Sequence, residues 1–328
     1  MTTDSPAPCV LITGGTGFVG THLIRFLKAH ASHIAVLSSG ARPTTGPEVE
    51  YFDVDIRNAD AVRAIVKEVS PQHIYHLAGI STVDASWKDP RLTYEVNVLG
   101  AHNLFEAAMR LGVPPKILNV STSQVYAPSD QPLSENSPIR PDNPYAASKA
   151  MAEFLVAQYR KCEVGGVITV RPFNHSGPGQ TPNFVLPNIA KQFAEIEAGL
   201  RPPTLTLGNV AVKRDFTDVR DVVRAYWMLL ENGRPNEVYN VCSGSAVYLR
   251  DIIDLFQQRV GINASIASDA NNIRSNDVPH VCGNPGKLQE QTGWYPQITL
   301  TQTIEDLLEH WRRAAADSGT TAGRDAPS

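Results

Sequence analysis

The chain has 328 residues, is 42% hydrophobic and 19% charged, and carries a formal net charge of −4. That length suits one large domain or two smaller ones around a sizeable core. The weak negative charge gives no electrostatic basis for binding nucleic acid or an anionic membrane. Four cysteines (Cys9, Cys162, Cys242, Cys282) lie far apart, with no CxxC and no His/Cys cluster. Such spacing offers no metal site and points to reduced, buried thiols in a cytoplasmic protein. The opening MTTDSPAPCVLITGG has no Lys or Arg before its short apolar run, unlike a signal peptide. No run of 18 apolar residues is present to span a membrane.

In chain order, short apolar runs alternate with helical patterns. CVLIT (9–13), HIAVL (33–37), VEYFDV (49–54), HIYHLAG (73–79), KILNVS (116–121) and GVITVRP (166–172) read as strands. Their near-continuous apolar character suits strands covered on both faces. Residues 17–30, 58–69, 90–111 and 144–161 read as the helices between them. This alternation predicts right-handed βαβ units and an α/β fold, a Rossmann-type doubly wound parallel sheet. After Pro172 comes a Gly/Pro-rich segment, HSGPGQTPNF, then a helix at about 184–199. The remainder is less regular and reads as a smaller, mixed C-terminal substrate-binding domain. The expected division is 1–173 plus about 211–245 for the dinucleotide-binding part and 174–210 plus 246–314 for the smaller part. Residues 315–328, rich in small and polar residues, read as a disordered tail.

GGTGFVG (14–20) follows the first strand and opens a helix. Glycine at 14, 17 and 20 lets the backbone turn tightly and approach a pyrophosphate, which rests against helix N-terminal N–H groups. NAD sites of this type carry an acidic residue about 20 positions on. From Thr21 to Pro47 this chain has none, and LSSGAR ends the second strand instead. Ser38, Ser39 and Arg42 suit a 2′-phosphate, so NADP(H) is the expected cofactor, with NAD(H) the alternative. Asp55 and Ile56, after the third strand, would sit near the adenine; a plain helix N-cap is the other reading of Asp55.

NPYAASKA (143–150) puts Tyr145 and Lys149 four apart at the start of a helix. Pro144 fits the first helical position, where its missing N–H costs nothing. Residues at i and i+4 share a helix face, so phenol and ammonium can approach one point. Helices contain YxxxK by chance, and the spacing alone does not establish chemistry.

Taken together, TGGTGFVG (13–20), HLAG (76–79), NVLGAHNL (97–104), STSQVY (121–126), YxxxK (145–149) and RPFN (171–174) resemble the extended short-chain dehydrogenase/reductase family in order and interval. RPFNHSGPGQTPNFV (171–185), LGNVAVKRDFTDVRDVVRAY (207–226) and AGISTVDASWKDPRLTYEVNVLG (78–100) resemble its GDP-6-deoxysugar branch. The resemblance implies Tyr145 as acid/base and Lys149 as its partner, lowering the phenol pKa from about 10 and binding the nicotinamide ribose. It implies Thr122 as the hydroxyl facing the sugar oxygen, with Ser123 as runner-up. It also assigns Gly14, Thr16, Gly17, Phe18, Val19, Leu77, Ala78, Gly79, Asn97 and His175 to the cofactor.

The position two past Thr122 separates two chemistries. Dehydratases of the branch place a carboxylate there to take a proton from sugar C5, and this chain has Gln124. An amide takes up no proton at neutral pH. Leu186 and Pro187 also stand where the dehydratases have basic residues. The resemblance therefore implies NADPH-dependent reduction of the C4 ketone of a nucleotide 4-keto-6-deoxysugar. GDP-4-keto-6-deoxy-D-mannose going to a GDP-6-deoxyhexose such as GDP-D-rhamnose is the leading case. GDP-mannose 4,6-dehydration and 4-epimerisation are the alternatives. For the nucleotide sugar, the resemblance points to Ser81, Thr122, Ser123, Tyr145, Asn174, Val185, Lys191, Arg214, Arg274 and Asp277. Trp87 reads equally as pocket wall or core, and Trp227, Trp294 and Trp311 read as packing. Helices 90–111 and 144–161 are expected to pair across a two-fold axis in a homodimer, with Met151, Phe154 and Leu155 as an apolar face.

Overall fold

A computed structural model describes residues 7–40, 48–159, 166–268 and 278–322. The first half builds β1 (Cys9–Thr13), α1 (Phe18–Leu27), β2 (His33–Ser38), β3 (Val49–Asp53), α2 (Ala59–Val69) and β4 (His73–His76). Next come α3 (Val83–Lys88), α4 (Pro90–Tyr94), α5 (Gly100–Met109), β5 (Lys116–Val120), α6 (Pro144–Tyr159) and β6 (Val167–Pro172). The second half holds β7 (Asn174–Ser176), α7 (Val185–Glu197), β8 (Thr204–Leu207), β9 (Lys213–Asp218), α8 (Val219–Asn232) and β10 (Val238–Val241). It ends with β11 (Ala246–Tyr248), α9 (Leu249–Val260), β12 (Ser265–Ser268), β13 (His280–Val281), α10 (Gly286–Thr292) and α11 (Leu300–Ala322).

Among the described residues, seven strands form one sheet in the order β10-β6-β5-β4-β1-β2-β3. Every pairing in it is parallel. The chain winds from β1 outward to β3, then crosses to β4 and winds the other way. That reversal opens a crevice at the strand C-termini between β1 and β4, the usual ligand site of such sheets. Strand ends are in step there, with Thr13 paired to both Leu37 and His76.

Apolar side chains explain the layering. Leu23, Ile24 and Leu27 of α1 join Val222, Tyr226 and Leu229 of α8 against one face of the sheet. On the other face Val62 and Val66 of α2, Leu104 and Phe105 of α5, and Ala152 and Val156 of α6 pack together. A separate cluster joins Phe193 of α7, Phe256 of α9 and Leu307 of α11 over the smaller strands. Side-chain caps fix several helix starts: Asn58 accepts from the Ala61 N–H at 3.1 Å, and Asn143 from the Ala146 N–H at 2.9 Å.

Three expectations are revised. The single helix over 90–111 is α4 and α5 joined by a π-helical turn, Glu95–Leu99, which Gly100 closes by donating to the Glu95 carbonyl. β9, inside the stretch assigned to the dinucleotide-binding part, instead pairs with β7, β11 and β13 of the smaller sheet. α11 continues to Ala322, past Ala315 where a disordered tail was expected to begin. Its apolar face, with Ile304, Leu307 and Leu308 buried against α7, carries the helix toward that end.

Candidate active site

The loop after β1 turns at Gly14, whose φ is +69° and whose N–H donates to the Leu37 carbonyl at 2.9 Å. A Cβ on Gly20 would stand 2.5 Å from the Gly15 Cα, so the first turn of α1 can lie against the loop only as glycine. The Thr16 and Ser38 hydroxyls hydrogen-bond at 2.7 Å, tying the loop to the end of β2. A cleft of about 650 Å³ opens above, lined by Gly14, Thr16, Gly17, Phe18, Val19 and Gly20 from this loop. Bare backbone at a helix N-terminus, too tight for side chains, fits a dinucleotide pyrophosphate.

At one end the cleft is walled by Ser38, Ser39, Asp55, Ile56 and Arg57. Arg57 grips Asp55 through Nε and Nη2, at 2.6 to 3.1 Å, and reaches Glu95 at 3.2 Å. The guanidinium holds the Asp55 carboxyl below its ordinary range. Arg42 lies outside the described residues.

At the other end the cleft is walled by Leu77, Ala78, Gly79, Ser81, Thr122, Ser123, Gln124, Tyr145, Asn174 and His175. Thr122 follows β5 and caps a 3-10 turn over Ser123–Val125 by accepting from the Gln124 N–H at 3.3 Å. The Thr122 hydroxyl lies on the same wall as the Tyr145 phenol and favours its ionised form. Burial nonetheless pushes the phenol pKa up, and Lys149 does not reverse it, contrary to the expectation of a lowered value. Lys149 Nζ donates to the Val120 carbonyl at 2.8 Å, and burial brings its own pKa down to about 8. The Lys149 ammonium lies behind Gly79, 3.3 Å from where a Cβ there would be.

Asn97 is carried by the π-helical turn and is buried, not exposed in the cleft. Its Oδ1 accepts from the Ile80 N–H at 2.8 Å, and its Nδ2 donates to the Ile80 carbonyl and to Ser148 Oγ. Asn97 thus braces the Gly79–Ser81 segment that forms the wall. His175 stacks parallel to Phe18 at 6.3 Å, and burial lowers its pKa, leaving a neutral ring over the phosphate loop.

A second cavity of about 530 Å³ adjoins the first and shares Ser123, Gln124 and Asn174 with it. Arg214 lines it, with Nη1 donating to the Lys213 and Val278 carbonyls at 2.8 and 2.7 Å. Trp87, 60% exposed, stands on its rim and is therefore not a core residue. Trp294 is fully buried, while Trp227 and Trp311 pack partly buried against the cores.

Two expected contacts are not brought into either cavity. Val185 begins α7 and packs against the smaller core, leaving Phe184 at the cleft. Lys191 pairs with Glu195 at 3.6 Å and lies over the Trp311 ring on the outer side of α7, because its helical phase turns it from the cleft. Arg274 and Asp277 lie outside the described residues. The sequence pattern does not flag Arg57, Gln180, Asn143 or His280, all of which line a cavity. Arg57 had a usable signal, its place two residues past Asp55.

The profile of a family described as GDP-mannose 4,6 dehydratase matches residues 11–307. GDP-6-deoxy-D-mannose reductase from Pseudomonas aeruginosa is 35% identical over 305 residues, covering 92% of this chain and 96% of that protein. A structure of RMD from Pseudomonas aeruginosa complexed with NADPH superposes with a TM-score of 0.82 at 35% identity, covering 93% of this chain and 99% of that one. A Thermus thermophilus UDP-glucose 4-epimerase in complex with NAD superposes with a TM-score of 0.81 at 31% identity, again covering 93% and 99%.

Proposed function

We infer the activity from one premise: the chain belongs to the GDP-mannose 4,6 dehydratase family. Within that family we propose that it is an oxidoreductase that uses NADPH to reduce the C4 ketone of GDP-4-keto-6-deoxy-D-mannose, giving GDP-6-deoxy-D-mannose. The observation that carries this reading is Gln124, an amide where the two cavities meet, beside Thr122 and in the cleft that holds Tyr145. Dehydration requires a base at sugar C5, and an amide cannot serve. Among the described residues, the carboxylates lining these cavities are Asp55 at the adenosine end and Asp84 and Asp142, which line only the second cavity. Ketone reduction needs one hydride and one proton and no C5 base.

NADPH supplies the hydride when bound. The bare backbone of Gly14 and Gly17 would hold its pyrophosphate, and Ser39 lines the end of the cleft where a 2′-phosphate would be held, in a stretch from Thr21 to Pro47 whose sequence has no carboxylate and offers Arg42. Tyr145 donates the proton to O4 as the alkoxide forms, and Thr122 donates a hydrogen bond to the same oxygen. Lys149, held by Val120, keeps positive charge beside the site. Asn174 and Arg214 hold the diphosphate in the second cavity, so the sugar lies over Ser123 and Gln124. The seven-stranded sheet carries the cofactor and the smaller sheet carries the nucleotide sugar.

The same reading includes a cytoplasmic homodimer. Leu99, Met151 and Phe154 are exposed together on α6 and the adjoining π-helical turn, an apolar face suited to a second copy. The test is product analysis by NMR and mass spectrometry, with GDP-4-keto-6-deoxy-D-mannose plus NADPH and with GDP-mannose alone. Reduction in the first case and no reaction in the second support the reading. Conversion of GDP-mannose to its 4-keto form overturns it in favour of a dehydratase.

A further inference from the structure

The segment STSQVY (121–126), which presents Thr122 to the first cavity and Ser123 and Gln124 to both, is tied down at its two ends by one buried ion pair. Glu153 lies one helical turn beyond Lys149 on α6 and accepts a hydrogen bond from the Ser121 hydroxyl. Arg171, at the end of β6, grips the same carboxylate through Nε at 3.0 Å and Nη2 at 2.6 Å. Its Nη1 donates to the Glu135 carbonyl at 3.2 Å. Its guanidinium lies 4.8 Å above the ring of Tyr126, the last residue of the segment. Tyr126 in turn donates to Asn240 Oδ1 at 2.6 Å, and Asn240 donates to the Leu133 carbonyl at 2.8 Å. Both side chains of the pair are at least nine-tenths buried.

We propose that Glu153 and Arg171 are positioning residues for the ketone reduction, a clamp that fixes the Thr122-bearing turn and supplies a buried negative charge facing the Lys149 ammonium. The proposal rests on the reductase reading for its kinetic test but not for its structural one. Charge at this depth calls for a purpose, since two apolar residues of equal volume would pack as stably or better. The clamp reaches Ser121 at one end of the segment and Tyr126 at the other, so the four residues between them have little freedom. Lys149 is oriented from the same side, through the Val120 carbonyl one residue before Ser121.

Glu153 also acts on Lys149 by charge. The titratable and charged groups around Lys149 are Tyr145 and Glu153 on its own helix, His76 from β4, and Arg171 from β6, which is engaged by Glu153. His76 is held neutral, its pKa pushed down to about 3 by burial and by the Lys149 charge. Glu153 is the group that favours the protonated amine against burial. Removing its charge therefore moves the loss of protonated Lys149 to lower pH.

The experiment compares the native chain with Glu153→Gln, with Arg171→Lys, and with the double variant Glu153→Gln/Arg171→Met, which leaves no unpaired buried charge if the single change fails to fold. Two readouts are taken. Amide exchange of the peptide spanning 121–126 is followed by mass spectrometry in the presence of NADPH, and kcat for reduction is followed against pH. The expected result is faster exchange confined to 121–126. It is accompanied by a kcat lower by roughly tenfold or more, with KM within about threefold, and an alkaline limb moved to lower pH. Arg171→Lys, which keeps the charge and loses the fork, is expected to show the exchange change with the limb in place. Unchanged exchange in 121–126, or a kcat loss with the native pH profile in Glu153→Gln and the double variant, overturns the clamp. Absence of reduction by the native chain overturns the reductase reading instead and leaves the exchange readout standing.

Discussion

A Cβ placed on Gly14 would lie 2.7 Å from both the N and the Cα of Ala78. The first turn after β1 and the end of β4 are therefore in backbone contact at the crevice where the sheet reverses. Gly14→Ala must both displace Ala78 and adopt a positive φ that alanine resists. The expected outcome is at least about tenfold weaker NADPH binding and a melting temperature lower by several degrees. Fluorescence titration and thermal unfolding measure the two effects.

Cofactor preference is expected to follow charge at the end of β2. Ser39 lines the cleft there, with Ser38 held by Thr16. Ser39→Asp places a carboxylate where a 2′-phosphate would lie. It should cut kcat/KM for NADPH by roughly tenfold or more through like-charge repulsion, with NADH nearly unaffected. Steady-state kinetics with both cofactors decides. A native preference for NADH contradicts the assignment.

Tyr145→Phe removes the proton donor and should lower kcat for reduction by about a hundredfold or more. In the native chain, burial keeps the phenol protonated through neutral pH. Lys149, with its pKa brought down to about 8, is the first group to lose its proton on the alkaline side. kcat/KM for reduction should therefore hold through neutrality and fall as pH rises past about 8. No histidine limb is expected near pH 6.5, because burial keeps His76 and His175 neutral. A pH profile between pH 5.5 and 9.5 or so tests both limbs.

Gln124→Glu should leave ketone reduction within about threefold of native, since chemistry at C4 does not involve C5. The side chain sits at the shared wall of both cavities, so any base installed there faces the sugar. The variant is the one in which proton exchange at C5, followed by NMR in deuterated water, should first appear.

Phe154 is 67% exposed and Met151 47% exposed on the same stretch of α6. Phe154→Glu puts a charge in that face and should shift the protein from dimer toward monomer at micromolar concentration. Light scattering reads the change, and a native chain that is already monomeric contradicts the dimer.

Local patterns were the legible part of this molecule. The glycine spacing of 14–20, the YxxxK pair and the alternating strands each depend on contacts within a few residues, and the structure places the glycine loop and Tyr145 on one cleft with Lys149 behind Gly79. Long-range outcomes were not legible. Nothing near Lys191 signals that it meets Trp311, because that contact is set by where α11 packs against α7. The π-helical turn that presents Asn97 has no propensity of its own and exists because Asn97 finds Ile80 and Ser148. The Tyr145 phenol was expected to be lowered by Lys149. The balance went the other way through burial, a property of packing that spacing cannot express.

Among the described residues, the two cavities share Ser123, Gln124 and Asn174 as their common wall. A fragment seated in one is therefore within a few bonds of a fragment seated in the other, with little protein to thread between them. Joining a nicotinamide-side fragment to a nucleotide-side fragment through a short linker over Gln124 makes the second contact intramolecular. Effective concentrations in the millimolar range then multiply two weak affinities into one strong one. Such a bridging molecule would take the shape of both reactants at once, a shape that enzymes using either ligand alone do not offer.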